Sequence, residues 1–296
     1  MMRFGVMPLD FGSIMNAVIR GGTLDLSRFS FPEIVRNTVK RGFHHIEITL
    51  DLGYVVPGSL NETVVDELAK IGGEEGVSYS VHLPLWSIEP ASPNEYIRRA
   101  STESLINSIE LAKPLQPESY VYHSTGALAA EFSRLSLPPI HRDVMNRGIT
   151  SHSDRSVEEL LSRTGIAPGK LALENVEFPF GLTRETVDRF DLSICFDTGH
   201  LLAGYCGEIP FMEFLERHFD RIVELHLHDG FHREAEQQVV RRDHLALGTG
   251  DLPITDLLGF LEGEGFDGPL VFELAFDETT KSLETIRRLC PNVAIE

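Results

Sequence analysis

Asp197 and His200, in the run Cys195-Phe-Asp-Thr-Gly-His, have the types and spacing that most directly suggest chemistry. The apolar run Leu192 to Phe196 ends on a carboxylate, turns through Gly199 and presents an imidazole three residues on. A buried strand that stops on an acid and turns through glycine is how an α/β enzyme offers a ligand at the carboxyl end of its sheet. Asp197 suits a hard or borderline cation, and His200 reaches the same cavity from the turn. Alone, the motif reads equally well as an acid capping a turn and a histidine opening a helix. Six further apolar runs end in the same way, on Glu47, His82, His123, Glu174, His226 and Glu273.

Seven such side chains in one cavity would set carboxylates against each other in a low-dielectric mouth. A divalent cation removes that repulsion. Imidazole nitrogen with carboxylate oxygen suits Zn, Mn, Fe or Co rather than Mg or Ca alone. Single residues also have plainer readings. His82, just before Pro84, could be a buried histidine bonded to backbone. Glu47 reads better as an orienter of a ligand than as a ligand.

The elements that must position these groups alternate in type. Apolar and β-branched runs predict strands at Arg3 to Met7, Phe43 to Leu50, Val77 to Leu83, Tyr120 to His123, Leu171 to Val176, Leu192 to Asp197, Ile222 to His228 and Leu270 to Leu274. Helical spacing marks Phe31 to Arg41, Leu60 to Glu74, Glu95 to Ala112, Thr183 to Phe190, Phe211 to His218, Ile254 to Leu261 and Glu278 to Leu289. Met7 to Thr23 reads as an irregular loop. Ser124 to Arg163 is long and mixed, broken at Pro138-Pro139 and helical at Val157 to Leu161; it could be a lid or a partner surface. Gly230 to Gly250 reads as a long polar loop. Eight strands alternating with helices predict a parallel (β/α)8 TIM barrel, one domain over residues 1–296, with its site at the C-terminal face of the strands.

Composition agrees. The chain has 296 residues, 42% hydrophobic and 24% charged, enough for one large core. A net charge of −19 repels a phosphate backbone, so nucleic acid is not an expected partner. A small phosphorylated ligand is not excluded, because bound metal reverses the sign locally. Three cysteines without a pairing pattern suit a reducing cytoplasm. No signal segment or run of about 20 apolar residues appears, so no membrane is expected. The oligomeric state stays open.

The motif order HLP (His82), YH (His123), LEN (Glu174), DTGH (Asp197, His200), HLHD (His226, Asp229), DHLALGTGD (Asp243, His244) and FEL (Glu273) resembles the xylose-isomerase-like barrels. That superfamily includes sugar isomerases, sugar epimerases and endonuclease-IV-type phosphodiesterases. The resemblance implies a metal quartet of Glu174, Asp197, His226 and Glu273. It implies His82 and His123 as ligands of a second ion bridged by Glu174, and His200 and His244 as ligands of a third. The phosphodiesterase branch has an acid two residues before the histidine matched by His244; here that position is Arg242 and the acid, Asp243, is adjacent. Longer runs, among them ENVEFPF and FDTGHLLAG, are similar to cobamide-remodelling phosphodiesterases.

Two chemistries follow for a small-molecule substrate and one to three divalent ions. The first is phosphoester hydrolysis, possible at the nucleotide loop of a cobamide. Three carboxylates against two cations leave about +1, which suits a phosphodiester anion. Glu174 bridges, Glu47 or Glu273 positions the attacking water, and His228, Arg233, Arg242 and Asp243 are candidate substrate contacts. The second is single-metal isomerisation or epimerisation of a sugar or sugar phosphate, with Glu174 and Glu273 as the acid/base pair.

Overall fold

The computed structural model describes residues 2–8, 18–20, 22–25, 28–235 and 238–293. Its centre is a closed barrel of eight parallel strands: β1 Arg3–Val6, β2 His45–Thr49, β3 Ser78–His82, β4 Tyr120–Tyr122, β5 Leu171–Glu174, β6 Ser193–Asp197, β7 Ile222–His226 and β8 Pro269–Phe272. Each strand pairs with its sequence neighbours, and β1 closes the ring by pairing with both β8 and β2. The predicted (β/α)8 TIM barrel is the observed fold. Helices Phe31–Val39, Glu62–Glu75, Glu95–Ala112, Phe180–Phe190, Ile254–Gly263 and Phe276–Leu289 pack outside it.

The period-two alternation of a strand sends successive side chains to opposite faces. Outward residues such as Ile46, Ile48, Leu173, Ile194, Phe196 and Leu225 join the apolar core beneath the helices. Inward residues are of another kind. Val121, Ala172 and Cys195 form a small separate apolar cluster inside the barrel. Beside it the lumen is polar: Ser80 Oγ lies 3.0 Å from Glu47 Oε2 and 2.6 Å from Glu224 Oε1, and His45 Nε2 lies 3.1 Å from Ser80 Oγ. The His45 ring fills the space a Cβ at residue 5 would need, which is why β1 carries Gly5.

Two stretches differ from expectation. Ser124 to Arg163 is mostly helical, as Ala127–Ser133 and the 26-residue helix Pro139–Thr164. Pro139 opens the second helix at its first position, where no amide partner is lost. The face this helix buries is largely polar, with Asn146, Thr150, Ser153, Asp154 and Ser156 alongside Val157 and Leu160. It docks on Glu95–Ala112, where buried Arg98 reaches Ser156 Oγ at 3.0 Å. That polar face hides the helical period from an apolar pattern search.

Gly230 to Gly250 is not a plain loop either. Asp229–Ala235 and Gln238–Leu245 pair as an antiparallel hairpin rising from the end of β7. Asp229 anchors its base. Its carboxylate, fully buried, accepts the amides of Gly230, Gly248, Thr249, Gly250 and Leu252 at 2.8–3.1 Å. The expected irregular loop from Met7 to Thr23 lies mostly outside the described residues; Ile19–Arg20 and Thr23–Leu24 pair as a short hairpin. Among the described residues no helix is long and apolar enough to cross a membrane.

Candidate metal centre

Four imidazoles converge on Glu174, the last residue of β5. His123 Nε2 lies 2.8 Å and His82 Nε2 3.3 Å from its Oε2. His226 Nδ1 lies 3.6 Å from the same oxygen, and His200 Nδ1 is 3.0 Å from Oε1. Strand phase explains the meeting: Glu174 pairs in register with Cys195, and Asp197, two residues on, with His226, so all aim into the lumen mouth. His82 and His123 come from β3 and the residue just beyond β4.

His226 Nδ1 faces two more acids, Glu273 Oε2 at 3.2 Å and Asp197 Oδ2 at 3.7 Å. It is buried and makes no hydrogen bond, as is His200 Nδ1. A buried ring nitrogen left unpaired among three carboxylates is the donor set of a cation. On its other edge His226 Nε2 lies 3.4 Å from Glu47. A carboxylate behind a histidine fixes the proton on the far nitrogen and leaves the near one free to ligate. His82 is set the same way, Nδ1 at 2.9 Å from the Leu83 carbonyl and Nε2 toward Glu174.

The electrostatics ask for positive charge. Burial alone would raise the Glu174 carboxyl, but the imidazoles of His123 and His226 hold it well below the usual range. Glu273 is likewise held well below by His226 against the effect of burial. Burial opposes charge on His82 and His200, yet the surrounding carboxylates push each up to about 9.

Three ligand triplets have donor atoms all within 4.8 Å of one another: His82–His123–Glu174, Glu174–Asp197–His226, and His200–Asp243–His244. The first two share Glu174. The third includes the acid that stands one residue out of place in sequence. The hairpin explains it. Asp229 pairs with Leu245 but Phe231 with Arg242, so one strand carries an extra residue. Such a bulge re-aims side chains. Adjacent Asp243 and His244 both turn inward, Asp243 Oδ2 lying 3.6 Å from His200 Nε2 and 3.5 Å from His244 Nδ1. His244 adopts a left-handed backbone, φ 49°, to do so.

Two further triplets, Glu47–His226–Glu273 and His228–His244–Glu273, are weakened by prior commitments. Glu47 is fully buried under His226 and accepts from Ser80. It has no face on the cavity, so it is not placed to position a water as the sequence reading allowed. His228 was a candidate substrate contact and is also fully buried. Its Nδ1 accepts the His244 amide at 2.9 Å, so its proton sits on Nε2, which donates to Asp197 Oδ2 at 2.9 Å. A nitrogen holding that proton has no lone pair for a metal.

Asp197 itself is held from several directions. It caps the helix Thr198–Leu202 by accepting the His200 amide. Asn175 takes the Asp197 amide on Oδ1 at 2.7 Å and returns Nδ2 to its carbonyl at 2.8 Å. Sequence reasoning missed these positioning roles of Asn175 and Asp229, although LEN and HLHD contain them.

Above the ligands a cavity of about 590 Å3 is lined by His82, His123, Glu174, His200, His244 and Glu273, with Trp86 and Leu52 on its walls. The arginines expected at the substrate do not line it. Arg233 pairs with Asp251 and covers the Phe231 ring. Arg242 is exposed.

Residues 35–290 match the family described as xylose isomerase-like TIM barrel. An uncharacterized protein of Methanocaldococcus jannaschii is 28% identical over 205 residues, 67% of this chain and 64% of that one, so the chain spans under two thirds of that relative's length. Among solved structures, a D-tagatose 3-epimerase-like protein superposes with a TM-score of 0.68 at 22% identity, covering 98% of this chain and 97% of that one. A 3-keto-D-glucoside 4-epimerase from E. coli superposes with a TM-score of 0.62 at 16% identity, over 98% and 99%. At these identities the structural likeness shows the fold.

Proposed function

The chain belongs to the xylose isomerase-like TIM-barrel family, and from that premise we propose that it is a divalent-metal-dependent hydrolase of a phosphoester in a small-molecule substrate. The observation that carries this reading is the crowding of Glu174. His82 and His123 both reach Oε2, two imidazoles that a single-ion acid/base site does not call for, and His200 Nδ1 stands 3.0 Å from Oε1. A carboxylate so surrounded, and held well below its usual range, is a bridging ligand rather than a base.

The unpaired His226 Nδ1 and the three converging carboxylates fit a resident cation. Asp197, His226 and Glu273 with Glu174 would hold one ion. His82 and His123 with Glu174 would hold a second, and His200, Asp243 and His244 offer a third site. Bound divalent ions supply charge that offsets the acids and polarises the phosphoryl oxygens. Glu273, beside His226 and His244 on the cavity wall, positions the attacking water. Glu47 and His228 hold His226 and Asp197 in the ligating orientation.

A second reading, isomerisation or epimerisation of a sugar or sugar phosphate, draws on the epimerases among the solved structures of the same fold. It also draws on Glu174 and Glu273 flanking His226 Nδ1 at 3.6 and 3.2 Å, where an acid/base pair would stand. It leaves His82 and His123 without a metal.

Elemental mass spectrometry after mild dialysis separates the two. Two or more ions per chain, falling by one in His82→Ala/His123→Ala together with phosphodiesterase activity, support hydrolysis; a cobamide is the first substrate to assay. One ion, unchanged in that variant, with ketose epimerisation retained, replaces the hydrolytic reading by the second.

A further inference from the structure

The cavity over the metal centre has a neighbour. A second, of about 600 Å3, lies on the other side of His123 and His200. The two share Leu85, Trp86, His123 and His200 as a common ridge. Each falls in the size range that encloses a ligand of about drug size, roughly 300–1,000 Å3. A single compact sugar would leave one of them empty.

The ridge is built rather than incidental. Asp51, 2% exposed, spends both carboxylate oxygens on the amides of Leu85 and Trp86, at 3.0 and 3.1 Å. The backbone under Trp86 is therefore fixed while its indole stays 57% exposed. Apart from the metal-centre residues, the first cavity offers Met7, Leu52, Leu85 and Trp86, with Thr49 and the amide-bonded Asp51 as its polar side chains. That wall suits a planar apolar group and gives a polyhydroxylated one little to bond. The second cavity adds Thr125, Glu177 and Tyr205 to an apolar floor of Ile88, Val176 and Ala130.

We propose that the substrate is a two-armed ester whose reacting group sits at the ridge, with a planar apolar arm against Trp86 and Leu52 in the first cavity and a second bulky arm in the other. This rests on the phosphoester reading and specifies its substrate class. Monoesters and esters with one small arm fill half the cleft and bind correspondingly weakly.

Calorimetric titration of the metal-loaded protein with dimethyl, methyl phenyl and diphenyl phosphate tests it. Each added phenyl group is expected to lower Kd at least tenfold. Ala130→Phe, which fills the second cavity, abolishes the second step, and Thr49→Phe, which fills the first, abolishes the first; metal content and melting temperature report that each variant is folded. Equal binding of the three esters, or steps that survive both substitutions, overturns the two-armed inference alone. Binding of none of them overturns the phosphoester reading and this inference with it.

Discussion

The backbone N–H of His244 donates to Nδ1 of His228 across 2.9 Å, and the two rings stack with centroids 4.2 Å apart and 15° between planes. The hairpin thereby sets the tautomer of a histidine on the barrel, and through it the orientation of Asp197. His228→Phe keeps the stack and removes both hydrogen bonds. Metal affinity should fall about 10- to 100-fold with the fold retained, as for other residues that orient ligands. Chelator competition checks it; unchanged affinity would show that Asp197 needs no such partner.

Gly199 is required by the same histidine. A Cβ there would run into the His228 ring and approach the Asp229 carbonyl. Gly199→Ala should cost about 1–3 kcal/mol in urea unfolding and weaken metal binding with it. Gly181, in the helix Phe180–Phe190 with open space around it, is the control. Gly181→Ala should stabilise by roughly 0.5–1 kcal/mol.

Asn175 bridges β5 to the Asp197 turn by donating to one backbone group and accepting from another. Asn175→Asp keeps the shape but loses the donor and sets a buried charge against the Asp197 carbonyl. A loss of about 1–3 kcal/mol or more is expected in denaturant unfolding. A neutral result would remove Asn175 from the positioning network.

Burial pushes the imidazole of His45, inside the barrel, down to about 4. A group whose folded value lies below its unfolded one, near 6.5, binds fewer protons folded than unfolded in that window. Its stabilising contribution is whole above pH 6.5 and is lost as pH falls toward 4. The loss is about 3 kcal/mol. His45→Gln should flatten stability between pH 6.5 and 4, and equal slopes in the two proteins would contradict this.

The strands are legible because each is an apolar run, seven of the eight ending on a ligand-type residue, and that signal is local. The phase that turns Glu174, Asp197 and His226 inward follows from the same period of two. What lay hidden was non-local. The helix Pro139–Thr164 buries serines and threonines, which no hydrophobic period reveals. The offset of Asp243 looked like a broken third site, yet a bulge, set by pairing across the hairpin, brings Asp243 beside His200. Glu47 and His228 looked like site residues by type; only packing shows that they stand beneath the ligands. Arg233 and Arg242 suit an anion by charge alone, but in the fold one pairs with Asp251 and the other is exposed.

Trp86 is the chain's single tryptophan, and it stands on the ridge between the two cavities. The emission of this protein therefore comes from an indole within its own substrate cleft. Occupancy of either cavity changes that indole's solvent exposure, so a colour shift on adding a compound reports binding without a label.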